Sequence, residues 1–85
     1  MKSSTYASIA TIVFLTHRNS ISKSIEGALR ATDHLCQQFG IINNLSHMTK
    51  YRVITDLIQS KILVTIKTKK QKKLRLAQQI SKLFS

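Results

Sequence analysis

Residues 46–64 read SHMTKYRVITDLIQSKILV, and the two halves of this stretch follow different periodicities. Up to Ser60, Tyr51, Ile54, Leu57 and Ile58 recur at helical spacing on one face, while Met48, Thr49, Arg52, Asp56 and Gln59 face elsewhere. Ser46 stands where a helix N-cap belongs, so the pattern predicts a helix over 46–60. Lys50 falls close to the apolar stripe and is expected at its edge, near the helix start. From Ile62 the period changes to two: Ile62, Val64 and Ile66 alternate with Leu63, Thr65 and Lys67, a β-branched pattern that predicts a strand. A helix therefore runs almost directly into a strand.

Beyond KKQKK, a second alternation sets Leu74 and Leu76 on one face and Lys73 and Arg75 on the other. Residues 62–77 are thus expected to form a β-hairpin. The following AQQISKLF predicts a short helix that returns Ile80, Leu83 and Phe84 to the core.

Toward the N-terminus, the clearest pattern spans Ile21 to Phe39. Ile25, Ala28, Leu29, Thr32, Leu35, Cys36 and Phe39 form the stripe, and Gly40 follows at the position of a C-terminal cap. Its polar side carries Lys23, Glu26, Arg30, Asp33 and Gln37, with Glu26 and Arg30 in the favourable i, i+4 order. IINNL connects this helix to the next, and THRNS connects it to an earlier one. That first helix is predicted from Ser4 to about Thr16, with Tyr6, Ile9, Ala10, Val13 and Phe14 at helical spacing and Ser3, Ser4 or Thr5 as N-cap. Lys2 followed by YASIATIVFL has a faint look of a signal peptide, but no small-x-small cleavage site follows. Ser8 and Thr11 interrupt the run, which is too short to span a bilayer. It is read as a core helix, and no membrane partner is expected.

The order helix, helix, helix, hairpin resembles a winged helix-turn-helix domain. The stretch 46–64 is similar to the recognition helix and first wing strand of MarR-type regulators, with Leu57, Lys61, Ile62 and Leu63 at the positions of the helix-ending Leu, the turn residue and the two aliphatics that begin the strand. Lys61 stands where that superfamily usually has Gly, which implies either a turn without left-handed geometry or one under mild strain. HLCQQFGIINNLSHMTKYRVITDLIQSKIL also resembles the C-terminal winged-helix domain of the origin-recognition replication initiators, through Leu35, Cys36, Gly40, Leu45 and Ser46 in order. No glycine-rich phosphate loop of an ATPase occurs. The resemblance implies an α+β domain that is mainly α with a small β-hairpin: three helices, a two-stranded wing and a short C-terminal helix.

Eighty-five residues make one domain, 1–85, with a thin core. A hydrophobic content of 42% is too high for a disordered tail, so a fold is expected despite the charge. Fourteen Lys and Arg against three acidic residues give +11, an imbalance that repels itself and calls for a polyanion. The single Cys36 cannot form an intrachain disulfide and, lying in an apolar stripe, is read as a core thiol; a reducing, intracellular setting fits, in cytoplasm and nucleoid or in a nucleus. His17, His34 and His47 are too scattered for a metal site. Glu26, Asp33 and Asp56 have neither nucleophile nor metal ligand beside them, so neither catalysis, cofactor nor small-molecule substrate is expected.

The expected partner is nucleic acid, foremost double-stranded DNA, bound by a transcription regulator or replication-associated factor. In that reading helix 46–60 enters the major groove and wing 62–77 meets the backbone or minor groove. Thr49, Lys50 and Arg52 are the candidate base readers, Arg52 having the geometry for guanine; Ser46 and His47 lie near phosphates. The wing contributes Lys67, Lys69, Lys70, Lys72 and Lys73, with Arg75 at its root. A homodimer through the apolar first helix is expected as well. The alternatives are an RNA-binding component of a ribonucleoprotein, disfavoured modestly by the lack of paired aromatics, and a docking module whose basic wing meets an acidic protein. Lysines on a strand edge also guard against aggregation, the structural alternative for the wing.

Overall fold

Local signals start and stop each element. In the computed structural model, which describes residues 1–16, 24–67 and 72–83, the first helix, α1, spans Ser3–Thr16. Its polar side chains turn back onto their own helix: the hydroxyls of Ser8, Thr11 and Thr16 donate to the carbonyls of Ser4, Ala7 and Ile12. Tyr6, Ile9, Ala10, Val13 and Phe14 are all buried, as the spacing predicts. α2 runs Ile25–Gln38, shorter at its start than the expected helix from Ile21, because Ser24 caps it by accepting from the Gly27 amide at 3.1 Å. α3 runs His47–Gln59, with the Ser46 hydroxyl accepting from the Thr49 amide at 3.2 Å.

α2 and α3 end in the same way. Past α2, the Gly40 N–H donates to Gln37 and the Ile41 N–H to Cys36, with Gly40 at φ +69°. Past α3, the Lys61 N–H donates to Ile58 and the Ile62 N–H to Leu57, with Lys61 at φ +64°. Both are Schellman closures, whose C′ residue must adopt left-handed geometry. Of the two expectations for the Lys61 turn, strain is the one observed.

Strand β1, Leu63–Lys67, pairs antiparallel with β2, Lys72–Leu76, in the register Leu63↔Leu76, Thr65↔Leu74 and Lys67↔Lys72. An Ala77 N–H bond to the Ile62 carbonyl closes the base of the hairpin. A short α4, Gln78–Leu83, follows. The chain is thus mainly helical with a two-stranded antiparallel hairpin. α1 lies at the centre, packed on α2, α3 and β2, while β1 packs on α3.

The core joins Tyr6, Ile9, Ala10 and Phe14 of α1 to Ala28, Leu29 and Cys36 of α2, to Val53, Ile54 and Leu57 of α3, and to Leu63, Leu74 and Leu76 of the hairpin. Thr32 sits wholly inside this apolar stripe because its hydroxyl donates to the Ala28 carbonyl at 2.7 Å. Three expected core positions are corrected. Tyr51 is 44% exposed and Val53 takes the buried place on α3; Phe39, the C-cap of α2, and Leu83, on the last turn of α4, both face outward. Each lies at an edge or end where the packed face has run out. Phe84, Lys23 and His17 lie outside the described residues. Five apolar residues of α1 are buried inside the chain, while Ile12 on the same helix is 40% exposed. Among the described residues no helix is long and apolar enough to cross a membrane.

Candidate nucleic-acid interface

On α3, spacing i, i+3, i+4, i+7 and i+11 aligns Met48, Tyr51, Arg52, Thr55 and Gln59 on the face opposite the core. Met48 is 77% exposed, and Arg52 is exposed one turn further along. The Thr55 hydroxyl donates back to the Tyr51 carbonyl. This surface combines one guanidinium with an aromatic and a thioether, a set suited to base edges, since Arg matches guanine and apolar groups match the thymine methyl. Met48 and Tyr51 were not among the expected contacts. Met48 was already expected off the apolar face, whereas the exposure of Tyr51 shows only once Val53 is known to fill the core.

Four of the contacts expected of α3 and its cap are turned to other work. Ser46 and Thr49 hold the N-cap, their hydroxyl oxygens 2.9 Å apart. His47 Nε2 lies 3.5 Å from Glu26 Oε1, a solvent-exposed contact between the starts of α3 and α2 that takes the place of the expected Glu26–Arg30 pair and contributes little to stability. Lys50 points inward. Its Nζ donates to Asp33 Oδ2 at 3.3 Å and lies 6.0 Å from the centre of the Tyr6 ring. Of the α3 candidates, Arg52 alone remains on the outer face.

The Lys50 contact belongs to a polar network linking α1, α2, α3 and the connection between α2 and α3. Asp33 Oδ1 accepts from the Tyr6 hydroxyl at 2.9 Å and from Asn43 Nδ2 at 2.8 Å. Burial, and then the Asp33 carboxylate, push the Tyr6 phenol well above the ordinary tyrosine value. Burial, then Asp33, also raise the Cys36 thiol, against a smaller opposing effect of Lys50, so this buried cysteine is held as an unreactive thiol.

The Tyr6 shift has a measurable consequence. Because the folded state disfavours the phenolate, the contribution of Tyr6 is complete below about pH 10 and is lost as the pH climbs from there toward the higher folded value, by up to about 1.4 kcal/mol per pH unit. Urea melts between about pH 9 and 11 should show a shallower alkaline decline for Tyr6→Phe than for the wild type. Equal slopes would place Tyr6 in a solvated setting.

In the hairpin, the register puts Leu63 and Thr65 with Leu76 and Leu74 on one face, and Val64 and Ile66 with Arg75 and Lys73 on the other. Leu63, Leu74 and Leu76 are the buried set. Val64, Ile66 and Lys73 are half-buried and Arg75 is exposed, so the second face is an outer surface with cations on β2 and aliphatics on β1. Lys67 and Lys72 are paired at the far end of the ladder, while Lys69 and Lys70 lie outside the described residues. Among the described residues, neither Arg75 nor Lys73 has an acidic partner. No protein-family model, curated protein or solved structure matches the chain.

Proposed function

We propose that this chain is a winged helix-turn-helix protein that binds double-stranded DNA, α3 entering the major groove and the hairpin following the backbone. The observation that carries the reading is the uncovered outer face of α3, with Arg52 at its centre, running through Lys61 into a hairpin whose outer face bears Lys73 and Arg75. Every charged side chain after Asp56 is Lys or Arg, and among the described residues neither Lys73 nor Arg75 is paired with a carboxylate. In this reading Arg52 reads a guanine edge, Met48 and Tyr51 contact neighbouring bases, and the wing cations hold phosphates. A role in transcription regulation or replication follows from such binding.

A second reading has a specific observation behind it. Phe39, Ile42, Met48 and Tyr51 are all exposed between the end of α2 and the second turn of α3, more apolar surface than a backbone-binding domain needs. Such a surface suits a docking module.

Fluorescence anisotropy with a mixed-sequence duplex, with structured RNA as competitor, separates the readings. If about six cations engage phosphates, affinity should fall about a thousandfold between about 50 and 200 mM salt. Arg52→Ala should then narrow the difference between preferred and random sites, by about 1–3 kcal/mol at one base pair. Absence of duplex binding at low salt would favour docking, and complete displacement by RNA would favour a ribonucleoprotein role.

A further inference from the structure

We propose that the cleft at the base of the hairpin is a seat for a phosphodiester of the bound nucleic acid, with Lys61 and Arg75 as its cations; this rests on the DNA-binding reading above. The cleft is open, about 330 Å³, and is lined by Lys61, Val64, Arg75, Ala77, Gln78 and Gln79. The lining thus brings two cationic residues and two amide residues capable of donating hydrogen bonds together with Val64 and the buried Ala77.

The backbone of Lys61 gives an independent reason to look here. α2 and α3 close with the same pair of hydrogen bonds, one at Gly40 and the other at Lys61, so the two positions make the same demand on φ. Glycine meets that demand without steric penalty and lysine does not. A strained residue held where glycine would serve better is a reason to ask what its side chain does. Here the side chain is exposed and lines a cationic cleft.

Internal neutralisation does not account for the pair. Glu26 lies against His47, Asp33 against Lys50, and Asp56 lines a separate groove with Ser3, Ser4 and Ser60. Among the described residues no carboxylate is within ion-pair distance of Lys61 or Arg75. An anion entering the cleft would have both cationic residues in its lining. A polynucleotide phosphate fits better than a small free anion because the charge continues outward: Lys73 shares the face of Arg75 two residues along β2, roughly 7 Å away, a spacing of the order of that between successive phosphates on one strand.

The test is Lys61→Gly, which separates folding from binding because the two should move in opposite directions. Its Tm should rise by about 4–8 °C. Its duplex affinity at about 100 mM salt should fall about five- to tenfold, with the slope of log K against log salt shallower by about one. Arg75→Gln should lose the same slope without the rise in Tm, and Lys61→Arg should keep wild-type affinity. If the wild type binds duplex with steep salt dependence and Lys61→Gly binds equally well with the same slope, the seat is disproved while the DNA reading stands. If the wild type itself fails to bind duplex, the DNA reading falls and the seat with it.

Discussion

Exchanging Lys67, Lys69, Lys70, Lys72 and Lys73 together for glutamine should reduce duplex affinity by about a thousandfold to ten-thousandfold at about 100 mM salt, and should do so for every duplex sequence alike. Each cation that releases a counterion from DNA contributes about 0.9 to the salt slope, so the five-residue variant should lose most of the dependence seen in the wild type. The free protein should be no less stable. Lys67 and Lys72 lie directly opposite one another across the ladder, and like charges so placed repel, so their removal leaves Tm unchanged or slightly higher. That pairing of outcomes separates recognition from the simpler view that lysines here only keep a sheet edge from associating. On the edge-guard view the variant would bind DNA nearly as well as the wild type and would aggregate more readily.

The sequence carried the helices well because their signals are local. The five α1 positions at helical spacing are the five buried ones, and Ser46 and Gly40 mark helix ends through hydrogen bonds within a few residues of themselves. The inward face of β1 was not legible in the same way. Ile62, Val64 and Ile66 form as good an apolar row as Leu63 and its neighbours, so alternation alone gives no contrast; the leucines of β2 decide it by pairing with Leu63 and Thr65. Tyr51 misled because it shares a face with Ile54 and Ile58, whereas the helix is rotated so that Lys50, Val53, Ile54 and Leu57 point inward. A lysine on that inward stripe was itself the signal of an acid partner. Its identity depends on a contact across 17 residues, which periodicity cannot supply.

That acid partner sets the other large effect. Asp33→Ala should destabilise the fold by about 2–3 kcal/mol, lowering Tm by roughly 10–20 °C in a domain of this size. The truncation removes the acceptor of the Tyr6 hydroxyl, leaving it the Leu29 carbonyl at 3.4 Å, and removes the partner of Asn43. It also strands Lys50, whose side chain is only 17% exposed, without a counter-charge. Asp33 is 40% exposed, so water offsets part of the loss and the effect stays below that of a fully buried pair. Replacing Lys50 by Met in the Asp33→Ala background should recover about 1 kcal/mol, because the orphaned cation is then gone. Lys50→Met alone should lower Tm yet leave the salt slope of DNA binding unchanged when measured below the melting range. A slope shallower by about one would instead put Lys50 on a phosphate. The two cations of α3 would then act alike, whereas the observed packing divides them: Lys50 ties α3 to α2 beside the Tyr6 ring on the side where Val53, Ile54 and Leu57 enter the core, and Arg52 faces outward.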